Sequence, residues 1–174
     1  MSTPPRNLVL IGMSGTGKSR VGRLVAERLR WRFVDTDQEI ERRTGRSVQE
    51  IFAAEGEERF RALEREVIAK VVPRGGAVIS TGGGAVLDPA NRDTLFSGNL
   101  VICLDASAEQ IATRLARTRV RRPLLAGDDP LGTIQSLKER RAPLYTLAHH
   151  TVETDDRTLG EIAAEVIEVL REYR

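Results

Sequence analysis

A glycine-rich segment directly after an apolar run constrains this chain more than any other feature of its sequence. The segment consists of Gly12, Met13, Ser14, Gly15, Thr16, Gly17, Lys18 and Ser19. It follows an apolar run at 8–11 that has the length of a buried strand, and it precedes apolar residues at helical spacing, such as Val21 and Val25. The spacing G-x-x-x-x-G-K-S between a strand and a helix predicts a phosphate-binding loop.

The residue types of this segment suit the binding of a nucleoside triphosphate. Glycines let consecutive backbone N–H groups face one point, and the following helix adds its positive N-terminal end. Lys18 is expected to reach the β- and γ-phosphates, and the Ser19 hydroxyl to ligate Mg²⁺. A glycine-rich turn that binds nothing is the alternative, but all four fixed positions and both flanks match the motif.

Composition argues for one ordinary domain that does not bind nucleic acid. The 174 residues carry a formal net charge of only +2, and the arginines are mostly interleaved with Asp and Glu. Aromatic residues make up 4% of the chain, which is too few for the stacking surfaces of nucleic-acid-binding proteins. We therefore expect a single domain over residues 1–174 whose partners are small molecules.

The apolar segments predict a cytoplasmic protein with no membrane contact. No stretch approaches 18 apolar residues, and residues 1–7 lack the apolar centre of a signal peptide. The single cysteine, Cys103, lies within an apolar run and is predicted to pack in the core, which suits a reducing compartment.

Predicted strands alternate with predicted helices along the whole chain, which indicates an α/β fold. The strands are expected at 8–11, 32–34, 77–80, 100–104 and 151–152. Such alternation predicts a mostly parallel sheet covered by helices on both faces, in three layers.

Three details of the predicted helices can be tested against the structure. One helix is expected at 38–44, where Gly45 stops it, and the capping box from Ser47 to Glu50 starts another that ends near Gly56. A helix from about 131 to 148 is expected to be kinked or interrupted at Pro143.

Two carboxylates follow the second predicted strand, at the edge of the sheet where ligands bind in open α/β folds. Asp35 and Asp37 are expected on the same side of an extended backbone. One can bind the Mg²⁺ shell, directly or through water, while the other holds an acceptor hydroxyl. The alternative is an Asp that only caps the next helix.

Other candidate site residues are ambiguous when each is considered alone. Gly82, Gly83 and Gly84 favour a place where a ligand lies against bare backbone, although a flexible turn is the alternative. Arg61 and Arg141 can clamp a carboxylate bidentately, but Arg61 can equally form a surface ion pair with Glu64.

Five arginines between residues 114 and 122 form the strongest local charge asymmetry. They are Arg114, Arg117, Arg119, Arg121 and Arg122. No acidic residue lies among them, and a long predicted loop follows. We interpret the stretch at about 114–128 as a lid that closes over the triphosphate and supplies a cation to the transferring phosphoryl group, rather than as an exposed helix end.

Taken together, these motifs resemble the shikimate kinases, within the small P-loop kinases, over nearly the whole chain. The resemblance rests on the following segments: residues 12–19, Phe33-Val34-Asp35-Thr36-Asp37, Gly56-Glu57-x-x-Phe60-Arg61-x-x-Glu64, Ser80-Thr81-Gly82-Gly83-Gly84, Arg122-Pro123-Leu124-Leu125 and Arg141-Ala142-Pro143-Leu144-Tyr145. The phosphate loop is shared with many NTPases, whereas the later elements in this order are far more specific. The resemblance implies a P-loop fold whose sheet has the order 2-3-1-4-5.

The resemblance also implies a reaction. ATP would phosphorylate the 3-hydroxyl of shikimate, giving shikimate 3-phosphate and ADP, in the biosynthesis of chorismate and the aromatic amino acids. The cofactor would be Mg²⁺, and the family precedent favours a monomer. A gluconate-type sugar-acid kinase and a non-catalytic module that binds nucleotide or shikimate are the alternatives.

Residue roles follow from the same resemblance. Lys18, Asp37 and Arg122 would be catalytic, with Asp37 orienting the hydroxyl and Arg122 reaching the phosphate from the lid. Arg61 and Arg141 would hold the shikimate carboxylate beside the backbone of Gly82–Gly84, in a substrate-binding section at about 35–64. Ser19, and Asp35 through water, would hold Mg²⁺. Arg117 would stack on adenine, with Thr154 and Asp155 on the other side of the base.

Overall fold

The sheet has five parallel strands, as the alternation of strands and helices predicts. A computed structural model describes residues 4–118 and 127–173. The strands are β1 Leu8–Ile11, β2 Arg32–Asp35, β3 Ala77–Ser80, β4 Leu100–Asp105 and β5 His150–Glu153. Their order is β2-β3-β1-β4-β5 and every neighbouring pair is parallel, which confirms the order expected from the resemblance.

Seven helices in the described residues connect and cover these strands. They are α1 Lys18–Leu29, α2 Thr36–Thr44, α3 Val48–Val71, α4 Pro89–Phe96, α5 Ala108–Ala116, α6 Pro130–Tyr145 and α7 Leu159–Glu172. Two short 3₁₀ turns, Val72–Arg74 and Ala85–Leu87, follow α3 and β3 respectively. Within the described part of the chain, no helix combines the length and apolarity that crossing a membrane requires.

The sheet separates two apolar cores, and this gives the fold its three layers. Side chains of β1 alternate between them: Val9 and Ile11 belong to one core, and Leu8 and Leu10 to the other. Helices α1 and α7 cover the second core, whereas α3, α4, α5 and α6 cover the first. Strand β1 is fully buried on both faces, so the loop that follows it starts from a fixed point.

Helix α2 begins earlier than the sequence predicts, and this changes the placement of the two aspartates. The Asp35 side chain caps the helix by accepting the backbone N–H groups of Asp37, at 3.0 Å, and Gln38, at 3.2 Å. The helix therefore starts at Thr36 rather than at residue 38. The prediction that Asp35 and Asp37 share an extended backbone is wrong, because Asp37 lies in the first helical turn.

Helix α3 is divided at Gly56, where the sequence predicts a helix end. Gly56 has φ 80° and ψ 177°, a backbone conformation that side-chain-bearing residues rarely adopt. The capping box at Ser47 starts the first part, as predicted, and the second part carries Phe60 and Arg61.

Helix α6 continues through Pro143 and ends at Tyr145, so the predicted interruption at the proline is wrong. A proline removes one helical N–H donor and crowds the carbonyl four residues earlier. Pro143 lies in the last turn, where little helix remains to be disturbed. The turn is closed by the Thr146 N–H, which donates to the Ala142 carbonyl at 3.0 Å.

Candidate active site

The loop after β1 has the backbone geometry that a phosphate-binding loop requires. Gly12, Gly15 and Gly17 have φ values of 133°, 87° and 94°. At Gly12 the conformation is reinforced by close approach, because a Cβ there would collide with the Leu104 carbonyl oxygen. A side chain inside the loop closes it further, since Thr16 Oγ1 donates to the Met13 carbonyl at 2.9 Å.

Lys18 lies folded over this loop. Its side chain is 7% exposed, and Nζ donates to the carbonyls of Gly12 and Met13, both at 2.8 Å. The ammonium group is thereby held at the mouth of the loop, at the N-terminus of α1. A cation there adds to the positive end of the helix and favours a bound anion.

Ser19 and Asp35 form the candidate metal position beside the loop. The Ser19 hydroxyl donates to Asp35 Oδ2, while Asp35 Oδ1 caps α2. Asp35 therefore both caps a helix and faces the phosphate loop, so the two interpretations of this residue are compatible. A hydroxyl and a carboxylate oxygen are hard ligands that suit Mg²⁺, which takes few protein ligands and keeps waters and phosphate oxygens for the rest.

A pocket of about 510 Å³, including its open mouth, lies next to the phosphate loop. All six residues predicted to bind the acceptor line it: Asp37, Arg61, Gly82, Gly83, Gly84 and Arg141. Met13 and Ser14 of the phosphate loop border the same pocket, and Val48, Phe52, Phe60 and Leu137 add apolar surface. The structure thus brings together residues from five separate segments of the sequence.

Arg61 is shared between two carboxylates of its own helix. Its Nη1 donates to Glu64 Oε2 at 2.8 Å, and Nε and Nη2 donate to Glu57 Oε1 at 3.3 and 3.2 Å. The side chain of Glu64 is fully buried, whereas that of Glu57 is 48% exposed. The pair with Glu64 is therefore a buried interaction at the pocket wall rather than the surface ion pair that the spacing alone favours.

The electrostatics of the pocket are set by this buried carboxyl. Burial raises the pKa of Glu64 to about 7; the charge and hydrogen bond of Arg61 oppose that rise, while Asp37 adds to it. For Arg61, burial acts to lower the pKa, but Glu64 and Glu57 outweigh it and the pKa of the guanidinium is raised.

The three glycines after β3 form a wall whose backbone has ordinary geometry. None of Gly82, Gly83 and Gly84 has a positive φ, so close approach is what requires them. A Cβ at Gly82 would lie 2.8 Å from Glu64 Oε1 and 2.9 Å from Asp37 Oδ1. At Gly84 it would collide with the guanidinium of Arg61. This wall explains the triple glycine better than a flexible turn does.

Helix α6 supplies the opposite side of the pocket. The Arg141 side chain is 6% exposed, and its Nη1 lies 3.9 Å from Met13 Sδ. One turn later, the Tyr145 hydroxyl donates to the Gly83 carbonyl at 2.6 Å. The helix therefore contacts both the phosphate loop and the glycine wall.

On the nucleotide side, Arg114 rather than Arg117 contacts the phosphate loop. Arg114 donates to Thr154 Oγ1 and to the Thr154 carbonyl, both at 3.0 Å, and to the Gly15 carbonyl at 3.4 Å. Arg117 is exposed at the end of α5. Asp155 accepts the Ser107 N–H with both carboxylate oxygens, at 3.1 Å, and so fixes the start of α5. Arg122 lies outside the described residues.

The sequence does not indicate the contacts of three further residues of this site: Glu64, Arg114 and Tyr145. Each had a signal, since Glu64 is three residues after Arg61, Arg114 belongs to the arginine cluster and Tyr145 ends the Arg141 motif. What the sequence could not indicate is the burial of Glu64 and the partners of the other two, because these depend on contacts between distant segments.

Comparison with known proteins agrees with this geometry. The profile of a family described as shikimate kinase matches residues 14–171. The shikimate kinase of Symbiobacterium thermophilum is 49% identical over 168 residues, which cover 95% of this chain and 97% of that protein. The shikimate kinase of Pseudomonas putida is 46% identical, with 96% and 97% covered.

Solved structures give the same result. A shikimate kinase from Acinetobacter baumannii in complex with shikimate superimposes with a TM-score of 0.93 at 36% identity, covering 99% of this chain and 96% of that one. A gluconokinase from Sinorhizobium meliloti reaches a TM-score of 0.60 at 19% identity, with 99% and 95% covered, and at that identity it shares the fold alone.

Proposed function

The chain belongs to the shikimate kinase family, and we propose that it transfers the γ-phosphoryl group of ATP to the 3-hydroxyl of shikimate. The products would be shikimate 3-phosphate and ADP. The observation that carries this proposal is one pocket, bordered by the phosphate loop, that contains two arginines and two carboxyl groups, Asp37 and the Arg61-paired Glu64. An acceptor that bears both a carboxylate and hydroxyl groups matches that set of charges.

The phosphate loop binds and orients the triphosphate. The backbone N–H groups of residues 12–17 and the N-terminus of α1 hold the β-phosphate, and Lys18 moves from the loop carbonyls to the transferring group. The buried position of Lys18 supports this role, because a cation held in a site with little water stabilises developing charge more strongly than one in solvent.

The acceptor pocket orients the attacking hydroxyl. Arg61 and Arg141 hold the carboxylate, the ring lies against the backbone of Gly82–Gly84, and Asp37 accepts a hydrogen bond from the 3-hydroxyl. Asp37 is well placed for this, since its Oδ1 lies 2.9 Å from where a Gly82 side chain would begin, directly at the wall. The hydroxyl is thereby directed toward the phosphate loop, so that transfer can proceed in line.

The hydroxyl and carboxylate oxygens of this site fit magnesium: Ser19 would hold the ion directly and Asp35 through water. Bound with ATP, the ion would neutralise charge on the phosphates. Ser19 and Asp35 are already in contact beside the loop, which supports a shared role at this position.

A lid completes the site. We place it at about residues 114–128 and assign Arg122 to the transferring phosphoryl group by resemblance. On the adenine side, Arg117, Thr154 and Asp155 keep their proposed roles, and Arg114 joins them because it links Thr154 to the phosphate loop. The chain thus forms one domain with a core, a substrate-binding section at about 35–64 and a lid, and closure excludes the water that would compete as acceptor.

We further propose that the enzyme acts in the cytoplasm as a monomer on small molecules, without nucleic-acid or membrane partners. A gluconate-type kinase is disfavoured because the triple-glycine wall and Arg61 form one contact surface, matching the motifs of the family to which the chain belongs. A module that only binds nucleotide or shikimate would not need Asp37 in a pocket that the phosphate loop borders.

The direct test is a coupled ADP-release assay with ATP and Mg²⁺, run with shikimate, with gluconate and with no acceptor. We expect release that depends on shikimate and that falls by about 100- to 1000-fold in Lys18→Ala, since a preorganised cation at the reacting group is lost. Equal release in all three reactions would mean a bare ATPase and would reject the proposed acceptor. Shikimate binding without any ADP release would favour the binding module.

A further inference from the structure

The Tyr145 hydroxyl makes a short hydrogen bond to the glycine wall, and the proposed reaction gives this bond no role. Tyr145 is 9% exposed, and its hydroxyl donates to the Gly83 carbonyl at 2.6 Å. Burial raises the pKa of this phenol to about 12, against the influence of the nearby Arg141 guanidinium. The hydroxyl therefore keeps its proton under ordinary conditions and remains a donor.

Gly83 lies where the two halves of the site meet. A Cβ on this residue would lie 3.0 Å from the Ser14 backbone nitrogen and 3.4 Å from Arg141 Nη1. A small displacement of Gly83 would thus alter the wall, the space beside Arg141 and the border with the phosphate loop. Gly82 is fixed from the other side, because its N–H donates to Thr36 Oγ1 at 3.2 Å.

Tyr145 and Arg141 are four residues apart on α6, so they lie on the same face of the helix, one turn apart. Joining Tyr145 to the glycine wall consequently also fixes the end of the helix that carries Arg141. On the proposed nucleotide side, the hydrogen bonds of Lys18, Ser19 and Arg114 go to Gly12, Asp35 and Gly15 respectively. None of these three bonds involves Tyr145.

We propose that Tyr145 is a positioning residue for the acceptor: its hydroxyl sets the position of the glycine wall relative to Arg141, and thereby determines how tightly shikimate is held. The inference rests on the proposed function, since it concerns the same acceptor. It assigns to Tyr145 no contact with either substrate and no step in phosphoryl transfer.

The test is Tyr145→Phe, which keeps the ring and removes only the hydroxyl. A partly buried carbonyl left without its donor, in a wall free to shift, should raise the KM for shikimate by about tenfold. The KM for ATP should stay within about twofold, and titration calorimetry with shikimate alone should show the same loss of affinity. The matched control is Tyr173→Phe, the only other tyrosine, which is 38% exposed and packs against His149.

Each outcome decides the proposal. A purely structural hydroxyl would lower the thermal midpoint without separating the two KM values, so unchanged or equally raised KM values would overturn the inference. A variant that circular dichroism shows to be unfolded would also overturn it, since the hydroxyl would then serve folding. Absence of shikimate-dependent turnover in the wild type would instead reject the proposed function, which keeps the two failures distinct.

Discussion

Arg61 forms ion pairs with two carboxylates of the protein itself. One is the buried Glu64 and the other is the half-exposed Glu57. A buried ion pair contributes little net stability, but removing one partner is costly because the remaining charge is left without compensation. Arg61 is therefore at once a proposed binding residue and the group that makes Glu64 tolerable in the pocket wall.

We predict that Arg61→Ala raises the KM for shikimate by about 10- to 100-fold, because charge-assisted hydrogen bonds to its carboxylate are lost. The KM for ATP should change little. The variant should also lose unfolding free energy, and this loss should grow as the pH rises above about 7, where the wild type keeps an ionised Glu64 beside its cation. Steady-state kinetics and urea unfolding measure the two effects.

Adding Glu64→Gln to Arg61→Ala separates the effect on shikimate binding from the effect on stability. Stability should largely return because the buried charge is gone, whereas the high KM for shikimate should remain. Arg59→Ala is the matched control, as Arg59 is an exposed arginine on the same helix that pairs with Glu55. A double variant that regains normal KM would refute the carboxylate-holding role of Arg61.

The raised pKa of Glu64 predicts a pH dependence of stability with a definite sign. Between the ordinary value of 4.5 and about 7, the folded protein keeps a proton on Glu64 that the unfolded chain has lost. The free energy of unfolding of the wild type, relative to Glu64→Gln, should therefore fall as pH rises from 5 to 7 and level off above 7. The total fall is on the order of 3 kcal/mol, and a difference that rises with pH, or stays flat, would contradict the prediction.

At the scale of elements, the start of α2 connects helix capping to the proposed metal position. Asp35 caps the helix with one oxygen and contacts Ser19 with the other. Asn is about as effective as Asp as a helix cap, but it has no negative charge to attract a metal ion.

Asp35→Asn should therefore change the thermal midpoint little while raising the Mg²⁺ concentration needed for half-maximal activity, by about tenfold for the loss of one charged ligand. Asp35→Ala should lose the cap, worth about 1 kcal/mol, and should show the same increase in the Mg²⁺ concentration needed for half-maximal activity. Unchanged Mg²⁺ dependence in Asp35→Asn would limit Asp35 to capping.

Most elements could be predicted because their signals are local. Apolar runs mark β1, β3 and β4, and the capping boxes at Ser47 and Thr158 mark the starts of α3 and α7. The two misplaced details, the start of α2 and the continuity of α6 at Pro143, are decided by side-chain contacts and by position within a helix. The local pattern of residue types does not predict either of these two details.

The candidate site likewise has a part that local sequence signals predict and a part that they do not. The phosphate loop is contiguous, so its spacing alone predicts it. The acceptor pocket joins Arg61 and Arg141, which are far apart in sequence, and only the family resemblance indicated that they meet. The spacing of Arg61 and Glu64 also permits a surface ion pair, because no pattern of residue types in α3 shows that the helix face beside Arg61 is covered.

At the scale of the whole molecule, the parallel sheet explains why residues from so many segments converge. The carboxyl ends of all five strands lie at one edge, so the loops after β1, β2 and β3 bring the proposed triphosphate, metal and acceptor positions side by side. Two separate cores hold these loops from both faces of the sheet.

We predict a monomer of 19.3 kDa in light scattering. Among residues 4–118 and 127–173, the exposed large apolar residues are Leu87, Leu131, Leu147 and Tyr173, and none is more than 52% exposed. Four partly exposed residues are too few for the continuous apolar face of an obligate dimer. A concentration-independent mass near twice this value would contradict the prediction.

The glycine wall has a consequence for inhibitors and for drug resistance. An inhibitor that binds through side chains can be escaped by changing those side chains. At Gly82 and Gly84, however, the smallest substitution would meet Asp37, Glu64 or Arg61, residues on which the acceptor site itself depends. A compound that hydrogen-bonds only to this stretch of backbone would therefore meet a surface where a resistance mutation should also displace a residue of the proposed acceptor site and weaken shikimate binding.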